Sequence, residues 1–234
     1  MKLKQTWPLP LVYVVVISLF LTLTYWGNRA TTAVAEMIPL EREHTIVIDA
    51  GHGGEDGGAV SLSGFAESQY NLQIAIRLND LLHLLGYQTR MLRTADTSLH
   101  VQGDTIAARK VSDLRQRVKL VNETEDAILI SIHQNTFPDS RYSGAQVFYS
   151  EKGEGKYLAE AMQASFCETL NPGSRRAAKK ADGVYLMKHI DCTGVLVECG
   201  FLSHAEEEAK LRDGSYQQKI CCVISSALSQ FLTK

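Results

Sequence analysis

Two histidines and one glutamate each follow or close a short apolar run of the sequence. His52 follows "IVIDAG", His133 follows "ILISI", and Glu198 closes "VLV". Runs of this length and composition predict buried strands, so we expect the three side chains at the carboxyl ends of strands. In an open α/β sheet, ligands bind at that edge. Two imidazoles and a carboxylate gathered there are the donors of a catalytic zinc site, which keeps one position open for water.

Besides the two histidines, the metal needs a third protein ligand. The residues after His52 offer three acidic candidates for it. Glu67 is the best of them, because it opens the first predicted helix after a short loop that returns to the strand edge. Its position also suits a helix N-terminus, where the helix dipole favours an acid. Glu55 and Asp56 are nearer in sequence, but they lie inside the glycine-rich loop "GHGGEDGG". Asp49 is a candidate to hold a ring nitrogen of His52 or a loop amide.

The elements that must position these side chains alternate between strand and helix patterns after residue 44. We expect strands at 45–49, 87–93, 127–132, 145–150 and 194–200. We expect helices at 67–85 and 106–122, one through Leu158, Met162 and Phe166, and a terminal one from Tyr216 to Phe231. This alternation predicts a single α/β domain with a twisted, mostly parallel (mixed) sheet and helices on both faces.

Composition limits the classes of partner. The chain has 234 residues, 45% of them hydrophobic, and a formal net charge of −2. That charge gives no reason to expect nucleic acid as a partner. The five cysteines are an odd number without C-x-x-C spacing, so we predict no disulfide framework, and pairing of Cys192 with Cys199 stays open. The basic loop 173–183 is typical of a solvated segment, with contact to an anionic polymer as the alternative.

The N-terminal residues have the pattern of a membrane-targeting segment. Lys2 and Lys4 precede an uncharged, mainly apolar run at 11–26. Basic residues before the run favour a cytoplasmic N-terminus with the rest of the chain outside. The small residues of "AVAE" suit a cleavage site. We therefore expect a signal anchor or signal peptide at 1–36, a linker at 37–44 and an exported catalytic domain at 45–234.

Four motifs in order carry a resemblance to a known family. "TIVIDAGHGGEDGGAV", "ESQYNL", "LISIHQN" and "VLVECGFLSH" resemble the zinc-dependent N-acetylmuramoyl-L-alanine amidases of bacterial cell-wall lysis, over about residues 45–232. The resemblance implies one zinc ion with His52, Glu67 and His133 as ligands, and Glu198 as the catalytic carboxylate. Asp49 and Asn135 are candidates to support the ligands or to contact the substrate. Four residues depart from the family pattern without removing a ligand: Ser68, Gln134, Cys199 and His204.

The resemblance implies hydrolysis of the amide between N-acetylmuramic acid and L-alanine of the peptidoglycan stem peptide. "ARKVSDLRQRVKLVN", "SGAQVFY" and "GVYLMK" are similar to the germination-specific members of endospore formers. This implies action on spore cortex, towards muramic-δ-lactam and germination competence, in the envelope space between mother cell and forespore. The need for a protein activator stays open. The alternatives are a zinc peptidase that cuts within the stem peptide and a non-enzymatic, membrane-tethered wall-binding module.

Overall fold

The computed structural model describes Val14, residues 16–25 and residues 44–233. The chain divides into two units, Met1–Glu41 and Arg42–Lys234. In the first unit, residues 16–25 are helical. Within the described residues, no helix has both the length and the apolar composition that a membrane crossing requires. The other residues of the predicted targeting segment, and the predicted linker up to residue 43, lie outside the described part of the chain.

One mixed sheet forms the centre of the second unit. Its strands are β1 (Thr45–Ala50), β2 (Gln88–Met91), β3 (Ala127–Asn135), β4 (Gln146–Tyr149), β5 (Lys179–Lys180) and β6 (Thr193–Phe201). They lie in the order β2-β1-β3-β6-β4-β5. The neighbours β2, β1, β3 and β6 pair in parallel. β4 runs antiparallel to β6 and parallel to β5. The predicted mixed, mostly parallel sheet is confirmed.

Helices cover both faces of this sheet. They are α1 (Glu67–Leu84), α2 (Ile106–Asn122), α3 (Gly155–Thr169), α4 (Tyr185–His189), α5 (Ala205–Arg212) and α6 (Gly214–Leu232). Side chains alternate across β1, so Ile46 and Ile48 pack into the larger core with α1, α3 and α6. Val47 points the other way and packs into the smaller core with α2 and α4. The predicted α/β layers are therefore present.

Two of the strands that carry candidate site residues, β3 and β6, are longer than their apolar runs. β3 continues three residues beyond the predicted end at 132, and β6 includes Thr193 and Phe201. The extension follows from pairing, since His133 lies opposite Glu198 and Asn135 lies opposite Phe201, with a register shift between them. His133 and Glu198 are thus held within strands rather than in the loops after them. The sheet fixes both side chains at one edge.

Candidate metal centre and active site

Three side chains meet at the carboxyl ends of β1 and β3. Glu67 lies between the two histidines, with Oε1 3.0 Å from His133 Nδ1 and Oε2 3.3 Å from His52 Nε2. The two imidazole centroids are 5.0 Å apart, and the rings are inclined by 74°. One donor atom from each of the three residues lies within 4.8 Å of the others. Two nitrogen donors and one carboxylate fit a catalytic zinc site, in which a fourth position stays open.

Two glycines allow this close approach. A Cβ on Gly51 would lie 2.2 Å from His133 Nε2, and a Cβ on Gly58 would lie 2.6 Å from Glu67 Oε2. Gly58 also has a φ of 70°, which side-chain-bearing residues rarely adopt. His52 itself has a φ of 60°, so the chain turns sharply after β1 and carries the imidazole back over the sheet edge. The glycine-rich loop therefore makes room for the donors.

Glu67 is held as a carboxylate at the first turn of α1. It is buried, and its oxygens accept hydrogen bonds from the Ala59 and Gln134 amides at 3.1 and 3.2 Å. Burial alone raises the pKa of Glu67, but the hydrogen bonds and charges of His133 and His52 outweigh it and hold the pKa well below its usual range. Glu67 is therefore ionised, which is the form that binds a metal.

The ring of His52 is oriented by Asp56 rather than by Asp49. Asp56 Oδ2 lies 2.9 Å from His52 Nδ1 and 3.0 Å from Lys110 Nζ. Asp49 projects from the opposite face of β1, where it contacts Arg117 and accepts a hydrogen bond from Ser131 Oγ at 2.6 Å. The Asp49 carboxylate is therefore engaged with Arg117 and Ser131 rather than with the His52 ring.

Arg117 connects Asp49 to the backbone of His52. Its guanidinium donates from Nη2 to the His52 carbonyl at 2.7 Å while contacting Asp49 through Nη1. Glu55 lies away from the cluster and pairs with Arg109 at 2.7 Å. Of the three acidic candidates, Glu67 therefore joins the two histidines directly. A single sequence carries no signal for the Arg117 contact, because 65 residues separate it from His52.

Glu198 lies opposite His133 in the register of β3 and β6. Its Oε2 atom is buried and has no hydrogen-bond partner among the described residues. Burial raises the pKa of Glu198 to about 7; the Glu67 charge acts in the same direction, and His133 and His52 oppose it. A buried carboxylate oxygen without a partner is costly, which makes Glu198 a candidate functional residue. Its pKa suits a group that takes up and releases a proton near neutral pH.

Asn135 ends β3 at the same edge of the sheet. Its carbonyl accepts a hydrogen bond from the Leu202 amide at 2.8 Å, and the residue is partly exposed. His204, one of the departures from the family pattern, caps α5 by accepting a hydrogen bond from the Glu207 amide at 3.3 Å. Ser68, Gln134 and Cys199 are buried and contribute to packing beside the cluster. These departures leave the three donors and Glu198 in place.

Comparison with known proteins places the whole α/β unit in one family. Residues 46–230 match the family model described as N-acetylmuramoyl-L-alanine amidase. The chain is 39% identical over 191 residues to the germination-specific N-acetylmuramoyl-L-alanine amidase of Bacillus subtilis, covering 81% of this chain and 80% of that protein. It is 30% identical over 178 residues to the amidase LytC of the same organism, of which it covers 33%.

Solved structures agree with the sequence match. The amidase CwlD of Clostridioides difficile, solved in complex with the lipoprotein GerS, matches with a TM-score of 0.77 at 33% identity, over 81% of this chain and 98% of that one. The catalytic domain of the amidase CwlV from Bacillus (Paenibacillus) polymyxa matches with a TM-score of 0.69 at 28% identity, with the same coverage of 81% and 98%. The chain therefore belongs to the N-acetylmuramoyl-L-alanine amidase family.

Proposed function

We propose that this protein hydrolyses the amide bond between N-acetylmuramic acid and the L-alanine of the stem peptide in spore-cortex peptidoglycan. The observation that carries the proposal is the cluster of His52, Glu67 and His133 with the unpartnered carboxylate of Glu198 beside it. Family membership supports the amide bond as the target. The similarity to the germination-specific amidase of Bacillus subtilis supports spore cortex as the substrate.

His52, Glu67 and His133 are the proposed ligands of one zinc ion. Zinc, when bound, polarises the lactyl carbonyl and lowers the pKa of a water molecule towards about 7. Asp56 accepts a hydrogen bond from His52 Nδ1–H and so leaves the Nε2 lone pair available for a metal. Lys110 in turn holds Asp56 in place. These contacts orient the His52 imidazole in the absence of a bound metal.

Glu198 is the proposed general base and general acid. Its carboxylate accepts a proton from the attacking water and then delivers it to the leaving nitrogen of L-alanine. A pKa of about 7 serves both steps, because the group is neither a strong acid nor a strong base at neutral pH. The missing side chains at Gly51 and Gly58 leave room for the His133 and Glu67 side chains that form the cluster.

Product analysis tests this function. The full-length, zinc-loaded protein is incubated with intact cortex and, separately, with vegetative peptidoglycan, and the products are identified by mass spectrometry. We expect free stem peptides that begin with L-alanine, and faster release from cortex. Peptides that begin at a later residue would establish the peptidase alternative. Binding to peptidoglycan without any cleavage by the zinc-loaded protein would establish the wall-binding alternative.

Export and a protein activator are part of the proposal. The basic residues before the apolar run at 11–26 support translocation of the α/β unit out of the cytoplasm, with either an anchor or a cleaved signal. The structure of CwlD in complex with the lipoprotein GerS supports a protein partner of similar kind. Fractionation of cells with an antibody to the α/β unit tests export. Measuring cortex cleavage with and without a co-expressed lipoprotein tests the activator.

A further inference from the structure

The basic loop 173–183 contains a cation, Arg176, that contacts the two strands next to the candidate active site. Lys180 lies within 3.3 Å of two carboxylates and is therefore neutralised locally. Arg176 instead donates to the Gln146 Oε1 atom at 3.3 Å and to the Ser143 carbonyl at 3.1 Å. Within the described part of the chain, no acidic side chain forms an ion pair with Arg176. Its guanidinium is partly exposed and contacts only neutral acceptors.

Strand pairing connects Arg176 with the strand that carries Glu198. Its partner Gln146 lies directly opposite Glu198 in the antiparallel register of β4 and β6. Directly opposite residues of an antiparallel pair project from the same face of the sheet. The Arg176 guanidinium also lies over the ring of Phe201, 5.2 Å from its centroid, and Phe201 ends the strand that carries Glu198. The cation is thus fixed at the edge where the reaction is proposed to occur.

The loop before β4 extends this surface with two exposed aromatic rings. Phe137 and Tyr142 have centroids 4.6 Å apart, and Tyr142 lies 6.4 Å from Phe201. The buried carboxylate of Glu207 accepts hydrogen bonds from the Gly144 amide at 2.9 Å and from the Phe201 amide at 2.8 Å. These bonds tie the loop to the end of β6. The guanidinium therefore belongs to a preorganised surface rather than to a freely moving side chain.

We propose that Arg176 binds a free carboxylate of the stem peptide and so selects stems whose second residue is not amidated. This rests on the proposed amidase activity. The second residue is joined to the next through its side-chain carboxyl, which leaves its α-carboxylate free. The Cα atom of this residue lies about 3.8 Å from that of L-alanine, and its α-carboxylate extends beyond it. Neighbouring strands of a sheet are about 5 Å apart. The Arg176 guanidinium, one strand away from Glu198, is therefore suitably placed to bind this α-carboxylate.

Two synthetic substrates test the selection. They are muramoyl tripeptides that differ only in the second residue, isoglutamate in one and isoglutamine in the other. With the full-length, zinc-loaded protein, we expect kcat/KM to be about 10- to 100-fold higher for the carboxylate form. Arg176→Gln should lower kcat/KM for that form by the same factor and leave the amide form nearly unchanged. Arg175→Gln, a change at the exposed neighbouring residue, should keep the wild-type ratio.

Different failures identify different errors. Equal kcat/KM values for the two substrates with the wild-type protein would overturn the selection and leave the amidase function standing. An equal loss on both substrates in Arg176→Gln would show a structural role, whereas Arg176→Lys should restore part of the ratio. Cleavage of neither substrate would overturn the proposed function. Calorimetric titration with the two free stem peptides then decides the Arg176 proposal, which requires weaker binding of the carboxylate form by Arg176→Gln than by wild type.

Discussion

Two polar clusters lie side by side at the ends of β1 and β3, and they differ in how completely their polar groups are satisfied. In the structural cluster, Arg117 bridges Asp49 and Asp113, and Ser131 donates to the remaining Asp49 oxygen. The rest of the Arg117 guanidinium donates to the carbonyls of Ala50 and His52. Each nitrogen of this buried cation therefore has an acceptor. Complete pairing of buried charges is what stable packing requires.

The metal cluster follows the opposite pattern. His52, Glu67 and His133 direct their donor atoms at one another, and Glu198 Oε2 is buried without a partner among the described residues. Such an arrangement lowers stability unless a ligand completes it. The contrast shows that burial of charge alone does not distinguish the two clusters; what differs is that Glu198 Oε2, within the described part of the chain, lacks a partner beside three candidate metal donors. The two clusters also cooperate, since Arg117 holds the His52 carbonyl.

His133→Ala should have the largest effect, because it removes one of three proposed zinc ligands. We expect the zinc content after dialysis to fall from about one ion per chain to nearly zero, and peptide release to fall to background. Atomic emission spectroscopy and mass spectrometry measure the two quantities. His189→Ala, in the exposed last turn of α4, is the matched control and should keep both. Full zinc content in His133→Ala would remove this residue from the ligand set.

Glu198→Gln should separate catalysis from metal binding. The amide cannot accept a proton, so kcat should fall by about 10²- to 10⁴-fold while the zinc content stays near one ion per chain. Single-turnover kinetics with cortex fragments and metal analysis of the same sample measure both. Glu206→Gln, an exposed position in α5, should leave kcat unchanged. Near-normal turnover by Glu198→Gln would show that the unpartnered carboxylate has no catalytic role.

Much of the metal cluster could be predicted from the sequence, because its residues lie next to strong local patterns. His52 and His133 follow fully apolar runs, and such runs become buried strands whose ends meet. The choice of Glu67 over its neighbours needed the family resemblance, since spacing alone left Glu55 and Asp56 as alternatives. The pairing of Asp56 with His52 was not predicted, because it depends on the positive φ of His52.

The structural cluster could not be predicted from the sequence. Arg117 belongs to an amphipathic helix whose residues look solvent-facing in isolation, and its partner Asp49 is 68 residues away. The antiparallel direction of β4 is equally non-local, because it is defined by pairing with β6, which lies far along the chain. α5 was missed since its sequence, AEEEAKLR, lacks an apolar stripe. Tertiary contacts rather than local patterns determine these features.

Arg117→Met should show what the completely paired cluster contributes to stability. The change leaves the buried carboxylates of Asp49 and Asp113 without their cation, so we expect the free energy of unfolding to fall by about 3–5 kcal/mol. Urea unfolding of the metal-free protein, followed by circular dichroism, measures it. Arg115→Met, at an exposed position of the same helix, should change it by less than about 0.5 kcal/mol. A loss no larger than that in Arg117→Met would mean that the pairing contributes little.

Asp49→Asn should produce the smallest effect, a change in how stability depends on pH. Burial alone raises the pKa of Asp49, but Arg117 and Ser131 outweigh it and hold the pKa below its ordinary value of 3.8. The stabilisation is therefore fully present above the unfolded pKa of about 3.9 and is lost as the pH falls through the lower folded value. Between about pH 5 and pH 3, the unfolding free energy of Asp49→Asn should depend on pH less steeply than that of wild type. The difference in slope corresponds to at most about one proton taken up on unfolding. Urea unfolding at several pH values measures both slopes, and Asp104→Asn is the exposed control. Equal slopes for wild type and Asp49→Asn would show that the cluster leaves the pKa of Asp49 unchanged.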